Sequence, residues 1–154
     1  MANSDGHPIA KSGLVAPTKY EGVTPATRRR MLAVKRRDTD PEIRVRCALH
    51  AMGYRFRLQR KDLPGTPDIV LPRHRKIVLV HGCFWHGHKH CKRAKLPVNN
   101  ASTWKAKIEG NQRRDLRNLI ALRELGWDVL IIWECEVGNP ASLEARLRSF
   151  LRSS

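Results

Sequence analysis

The stretch His81-Gly82-Cys83-Phe84-Trp85-His86-Gly87-His88-Lys89-His90-Cys91 limits what this chain can fold into more than any other. It sets two thiols, four imidazoles and two large aromatics directly after the apolar run Ile77–Val80. A continuous apolar run of that length reads as a central strand, so the loop leaves the mouth of a sheet. A structural zinc takes four tetrahedral ligands, mostly thiolate and imidazole. Cys83 and Cys91 offer two. Cys135 ends a second apolar run, Trp127–Trp133, and a strand end can reach a loop that leaves a neighbouring strand. The fourth ligand then has to be His86, His88 or His90, and spacing does not choose among them. The competing reading is three unrelated thiols beside a surface histidine run. With no export signal in the sequence, reduced cytoplasmic thiols holding a metal fit better than a disulfide framework.

The charge balance narrows the partners. The 154 residues carry 30 Lys+Arg against 14 Asp+Glu, a formal net charge of +16. Residues 1–27 contain only Lys11, Lys19, Asp5 and Glu21, which cancel, so residues 28–154 carry the whole excess. A folded domain with that imbalance repels itself unless it meets a polyanion, and nucleic acid is the first candidate. No apolar run reaches membrane-crossing length, which excludes a spanning helix. Residues 1–27, rich in Gly, Pro, Ser, Thr and Ala, read as a disordered tail. The clusters Arg28-Arg29-Arg30 and Lys35-Arg36-Arg37 make a basic arm over 28–38, suited to lying along a nucleic-acid backbone or groove.

Thr39-Asp40-Pro41-Glu42 is a helix start with a capping box, and Gly53 is its stop. Ile43, Cys47, Ala48 and Ala51 recur at helical spacing, which puts Cys47 on the core face as a small buried hydrophobe. Tyr54–Leu58 alternates apolar and basic residues, as an exposed strand does. Asp68–Leu71 and Ile77–Val80, joined by the basic turn Pro72–Lys76, predict a hairpin. Ser102 is placed to cap a helix from about Thr103 to Leu125, with Ile108, Leu116, Leu119 and Ile120 inward. Asn139-Pro140 opens a last helix with Leu143, Leu147, Phe150 and Leu151 inward. The predicted class is α/β, a mixed sheet flanked by helices in the order α-β-β-β-α-β-α.

One carboxylate stands out. Pro64-Gly65-Thr66-Pro67 is a stiff turn that delivers Asp68 to the mouth of the strand Ile69–Leu71. An aspartate there, with a second group on the hairpin partner ending Val80-His81, is the skeleton of a magnesium nuclease. The plainer alternative is that Asp68 caps a turn.

Several blocks, in order, raise the specificity further. They are Asp38-Thr39-Asp40-Pro41-Glu42, Leu63 through Asp68, His81 through His88, Trp104 with Lys107-Ile108, Asn111 with Arg114-Asp115, and Gly126-Trp127 through Trp133-Glu134-Cys135. Over about Met31 to Leu151 the chain resembles the very short patch repair endonucleases, bacterial mismatch nickases related to the type II restriction-enzyme fold. The resemblance implies a Mg²⁺-dependent endonuclease that nicks one DNA strand at a thymine–guanine mismatch left by deamination of 5-methylcytosine. It implies a cytosine methyltransferase as companion, a monomer, and a site among the DNA of the bacterial nucleoid.

The family's roles map onto single positions. Asp68 matches the catalytic magnesium-binding aspartate. Val80 matches a ligand that acts through its backbone carbonyl; a threonine is usual there, and a carbonyl is indifferent to the side chain. His81 and His86 match two active-site histidines whose roles could be exchanged. Glu42 matches an acidic residue that holds metal-bound water, and Asp115 would orient a histidine. The zinc ligands map onto Cys83, His88, Cys91 and Cys135, with His90 an outside candidate because His88 to Cys91 is one residue longer than usual. Phe84, Trp85 and Trp104 match aromatics that wedge into the base stack, and Met31 an apolar wedge from the minor groove. For Trp104 the alternative is a helix residue packed on the core. Arg114, like Arg55, Arg57, Arg60 and Arg113, would bind phosphate. The competing functions are the same fold with another mismatch or sequence specificity, and a zinc-stabilised DNA-binding protein without cleavage.

Overall fold

Thr24 and Pro25 start a short helix, α1 (Pro25–Leu32), whose cap is the Thr24 hydroxyl accepting from Thr27 N at 3.3 Å. This computed structural model describes residues 24–153, and most of the tail expected over 1–27 lies outside them. Helix α1 is absent from the sequence reading. It buries no residue, so no apolar periodicity announces it. It crosses the boundary set between residues 27 and 28, and the first part of the basic arm is helical. The chain divides into two units, 1–34 and 35–154, and the elements below all belong to the second.

Helix α2 (Asp40–Ala51) begins as its capping box requires. Glu42 N donates to Thr39 Oγ1 at 3.4 Å, the Thr39 hydroxyl donates to Glu42 Oε1 at 3.1 Å, and Asp38 N donates to Glu42 Oε2 at 2.9 Å. Gly53, at φ +82, follows the helix end in the left-handed conformation that glycine adopts without penalty. The buried face is only partly the expected one: Ala48 packs against the core, as expected. Glu42, Val45 and Leu49 point inward, while Ile43 and Cys47 are exposed. The larger aliphatics Val45 and Leu49 win the core, which rotates Cys47 to the surface.

Strands β1 (Arg57–Leu58), β2 (Ile69–Leu71) and β3 (Lys76–His81) form an antiparallel meander, and β4 (Asp128–Trp133) adds parallel to β3. The order is β1-β2-β3-β4. The hairpin β2–β3 is as predicted, its turn a short 3₁₀ segment closed by Arg75 at φ 54. Strand β1 keeps only two of the five residues predicted as strand. Between β3 and β4 runs α3 (Ala101–Glu124), and α4 (Pro140–Arg152) closes the chain. A parallel pair needs such a crossover.

Two apolar clusters hold the layers together. Val45 and Leu49 of α2 pack with Ile69, Leu71, Val78 and Ile132 of the sheet and with Leu143, Leu147 and Leu151 of α4. Val70 and Ile77 pack with Leu122 and Trp127. Helix α3 starts at Ala101 after Asn100 at φ 58, earlier than a Ser102 cap predicts. Its inward residues are Ile108 and Leu122, while Leu116 and Ile120 face solvent at 57% and 48% exposure. The stripe between Ile108 and Leu122 instead carries the half-buried Asn111, Asp115 and Asn118. No helix among the described residues is long and apolar enough to cross a membrane.

Candidate active site and metal centre

The parallel register pairs His81 with Trp133, so the loops after β3 and β4 leave the same end of the sheet side by side. Cys83 and Cys135 each lie two residues past that pair, which is why residues so distant in sequence meet. Donor atoms of Cys83, His88, Cys91 and Cys135 all lie within 4.8 Å of one another. Cys135 Sγ is 3.5 Å from His88 Nδ1. The His88 ring stacks on Trp133 at 4.2 Å with 5° between planes, which fixes its orientation. His90 is exposed, at φ 57, and is not in the group; nor is Cys47. Burial pushes the Cys83 thiol up to about 12, and the neighbouring thiols add to this. A backbone hydrogen bond at Arg93 holds Cys91 below the usual thiol range. Three thiols and one imidazole are the donor set of a closed structural metal site.

Glu134 ties this loop to the sheet, a link the sequence reading lacks. It accepts from Cys83 N at 3.3 Å through Oε2 and from Arg93 Nη1 at 3.3 Å through Oε1. The signal for it was its place beside Cys135.

The second group stands beside the first. Asp68 precedes β2, and its Oδ2 accepts from Val80 N at 2.9 Å, so the hairpin fixes the carboxylate against the end of β3. The turn before it is rigid. Gly65 (φ +74) and Thr66 (φ 50) are both left-handed, and a Cβ on Gly65 would stand 2.5 Å from Asn118 Nδ2 of α3. Burial pushes the Asp68 carboxyl up to about 6, opposed by the Val80 N–H and reinforced by the charge of Glu42. His86 and Arg46 pull the other way.

His81 and His86 stack at 4.0 Å with 10° between rings. Gly87, at φ +62, turns the loop tightly against α3, where a Cβ would meet Gln112 Nε2 at 2.5 Å and Ile108 Cγ2 at 2.7 Å. Gln112 Nε2 donates to the carbonyls of His86 and Gly87, each at 3.3 Å, and Asn111 Nδ2 donates to the Trp85 carbonyl at 2.8 Å. Asp115 Oδ2 lies 2.5 Å from His86 Nδ1. Burial works to raise Asp115, but that hydrogen bond and the His86, His81 and Arg114 charges hold it below the usual carboxylate range. Burial, with the neighbouring His86, lowers His81 to about 4, so its imidazole is neutral at physiological pH. His81, His86 and Asp115 form a convergent set within 4.8 Å.

Phe84, Trp85 and Trp104 make a third group, edge-to-face at 5.2, 5.4 and 5.9 Å. All three are partly exposed, so Trp104 packs on the other two aromatics without entering either apolar cluster. Lys107 Nζ lies 5.1 Å from the Trp85 ring centre and 5.7 Å from that of Trp104. Arg114 is exposed on the same helix, 3.9 Å from Asp115. Met31 belongs to the first unit and is described only as a half-buried residue of α1.

Comparison with known proteins identifies the family. The family model described as DNA mismatch endonuclease Vsr matches residues 21–93. The type II nicking enzyme V.XorIIP of Xanthomonas oryzae pv. oryzae is 50% identical over 133 residues, covering 86% of this chain and 97% of the relative. The type II nicking enzyme V.NmeAIP of Neisseria meningitidis is 39% identical over 122 residues, covering 79% and 86%. The DNA mismatch endonuclease Vsr of Escherichia coli K12 is 46% identical over 119 residues, covering 77% and 76%. The chain therefore belongs to the Vsr family of DNA mismatch endonucleases and is a DNA endonuclease.

Proposed function

We propose that this endonuclease nicks the thymine strand at a thymine–guanine mismatch, with Mg²⁺ as catalytic cofactor and Zn²⁺ as structural staple, on a restriction-endonuclease-like fold. The observation that carries the reading is the adjacency of Asp68 and the His81–His86–Asp115 group at the end of β3, in the same loop region as a partly exposed aromatic cluster.

The donor chemistry fits both ions. Asp68, buried beside the charge of Glu42, gains from a hard divalent cation, and the Val80 carbonyl would add a second oxygen. Bound Mg²⁺ would stabilise charge developing on the scissile phosphate. Cys83, His88, Cys91 and Cys135 would hold zinc, in keeping with a reducing cytoplasm.

The chain's own groups account for the rest. Asp115 takes the Nδ1 hydrogen of His86, which leaves His86 Nε2 free to accept a proton. His81, kept neutral by burial, offers a second acceptor stacked against it. One of the two receives the proton of the attacking water while the other supports the phosphate. The water oxygen bonds to phosphorus, the bond from phosphorus to the 3′ oxygen breaks, and that oxygen takes a proton from solvent water to leave as a hydroxyl, while the histidine later returns its proton to solvent. The products are a 5′-phosphate and a 3′-hydroxyl.

Phe84, Trp85 and Trp104 wedge beside the mismatch, with Met31 entering from the minor groove. Unstacking is least costly where pairing is already poor, so the wedge filters for mismatches. Arg114 and the basic arm 28–38 bind phosphates. The enzyme acts as a monomer in the nucleoid beside a cytosine methyltransferase whose product creates the lesion. The catalytic domain spans residues 28–154.

The test is a nicking assay on a labelled duplex with one thymine–guanine mismatch, a matched control, added Mg²⁺, and Asp68→Ala in parallel. A nick on the thymine strand alone, missing from the control and the variant, is the expected result. Equal cutting of both duplexes would remove the mismatch specificity. Undiminished cutting by Asp68→Ala would remove the assigned carboxylate.

A further inference from the structure

Glu42 and Arg46 form a pair that the proposed mechanism leaves unexplained. Both side chains are nearly enclosed, at 5% and 15% exposure. Arg46 Nη2 donates to Glu42 Oε2 at 3.1 Å, and Arg46 Nη1 donates to Asp38 Oδ1 at 2.7 Å. Asp38, Glu42 and Arg46 are spaced four residues apart, so the guanidinium clamps the residue before the helix cap to the second turn of α2. Arg46 Nε is buried with no hydrogen-bond partner. A buried N–H without an acceptor opposes folding, so the guanidinium is held where it is despite that cost.

The lone pairs of Glu42 can be counted. An ionised carboxylate has about four acceptor positions. Oε2 accepts from Asp38 N and from Arg46, and Oε1 accepts from the Thr39 hydroxyl. One position remains, on Oε1. With Oε2 fully engaged, the rotamer of Glu42 is fixed and its free lone pair has one direction.

The charges are also balanced. Glu42 and Arg46 both act on Asp68 through space, with opposite sign. Without the arginine, the buried glutamate would stand uncompensated beside the catalytic carboxylate and the incoming phosphate.

We propose that Arg46 is a positioning residue for strand cleavage: it locks the Glu42 carboxylate with one lone pair free and offsets its charge beside Asp68. This rests on the reading of Asp68 as the catalytic carboxylate. Lysine in its place would keep the charge and lose the two-point clamp, because it lacks the planar fork.

The test uses the full chain with Arg46→Met, Arg46→Lys, Glu42→Gln and the double variant Arg46→Met/Glu42→Gln. Nicking of the mismatched duplex is measured at saturating Mg²⁺, with duplex binding and thermal melting in parallel. Arg46→Met is expected to lower kcat by about 10- to 100-fold, the range for partners that orient a metal-site group. KM and duplex affinity should stay within about twofold, as for a group acting only after binding. Arg46→Lys should recover part of the loss, and the double variant should be no slower than Glu42→Gln alone. An unchanged kcat, a loss that follows duplex affinity, or additive effects in the double variant would overturn the proposal. Should Arg46→Met not fold, Arg46→Lys decides: wild-type kcat in that variant refutes the clamp. Full activity in Asp68→Asn, assayed alongside, would instead remove the catalytic reading on which the proposal rests.

Discussion

Asp68→Asn is expected to make the protein more stable at neutral pH while removing its activity. Burial raises the Asp68 carboxyl from the ordinary 3.8 to about 6. Between those values the folded chain keeps a proton that the unfolded chain has released. Stability contributed by the protonated form is therefore present below about pH 4 and lost as the pH rises through about 6. At 1.36 kcal/mol per pH unit, the ionised carboxylate destabilises the fold by about 3 kcal/mol at pH 7. Asparagine removes that penalty and keeps the acceptor for the Val80 N–H, which bonds Oδ2 at 2.9 Å in the wild type. In a chain of 154 residues, about 3 kcal/mol corresponds to roughly 6–12 °C in melting temperature.

The assay is thermal unfolding of both proteins without added Mg²⁺, at pH 7 and at pH 4. The variant should melt higher at pH 7, and the gap should close at pH 4, where the wild type carries its own proton. Titration of His81 affects both proteins alike and drops out of the difference. A variant no more stable at pH 7 would refute the argument that desolvation dominates at Asp68. So would a gap that persists unchanged at pH 4. Added Mg²⁺ should then raise the melting point of the wild type and leave the variant where it is.

Asp115→Asn should lower nicking by about 10- to 100-fold with duplex binding retained, because His86 loses the partner that sets its tautomer; an unchanged rate would argue against that role. Gly87→Ala should destabilise the chain by about 2–3 kcal/mol in urea unfolding, combining a left-handed φ of +62 with a Cβ 2.5 Å from Gln112 Nε2. A loss below about 1 kcal/mol would mean that Gln112 moves aside freely. Cys135→Ser should reduce bound zinc well below one per chain by atomic absorption and lower the melting temperature, since a structural site contributes folding energy directly. His81 titrates at about 4 when folded and near 6.5 when unfolded, so its own contribution to stability should fall as the pH drops through that window, opposite in sign to that of Asp68; the urea midpoint of His81→Gln should therefore rise relative to the wild type between pH 7 and pH 5, and an unchanged difference would refute the assignment.

Helix α2 and the β2–β3 hairpin were legible because their signals are local: a capping box, a stop glycine, and apolar runs around a basic turn. The inward faces of the helices were less so. Helix α3 turns Asn111 and Asp115 toward the loop after β3 and Asn118 toward the turn at Gly65, and leaves Leu116 and Ile120 in solvent. A rule that sends apolar residues inward fails where the inward stripe passes a polar site. Cys47 went wrong by the same kind of rule, because Val45 and Leu49 offered more surface to bury two positions away. The short helix α1 buries nothing, and a pattern of burial could not reveal it. The Cys83–Cys135 meeting was anticipated in outline from strand ends. Spacing left His86, His88 and His90 open and the resemblance pointed to His88; the structure brings His88 to the three thiols through the tight turn at Gly87.

That loop conformation links the three groups physically. His81 ends a strand whose register with Trp133 is fixed by the sheet, and Trp133 stacks on His88 while its edge meets His81. His86 returns over His81 because Gly87 and the amides of Gln112 and Asn111 hold the turn against α3. Cys83 and His88 bracket the span that contains Phe84, Trp85 and His86. Displacing either end moves the other, since only four residues separate Cys83 from His88 and two of them are the paired aromatics Phe84 and Trp85. A base stack that pushes on Phe84 and Trp85 therefore pushes on the backbone that carries His86. Mismatch recognition and cleavage would then share one loop, and a duplex that resists the wedge would leave the histidine out of register with its phosphate.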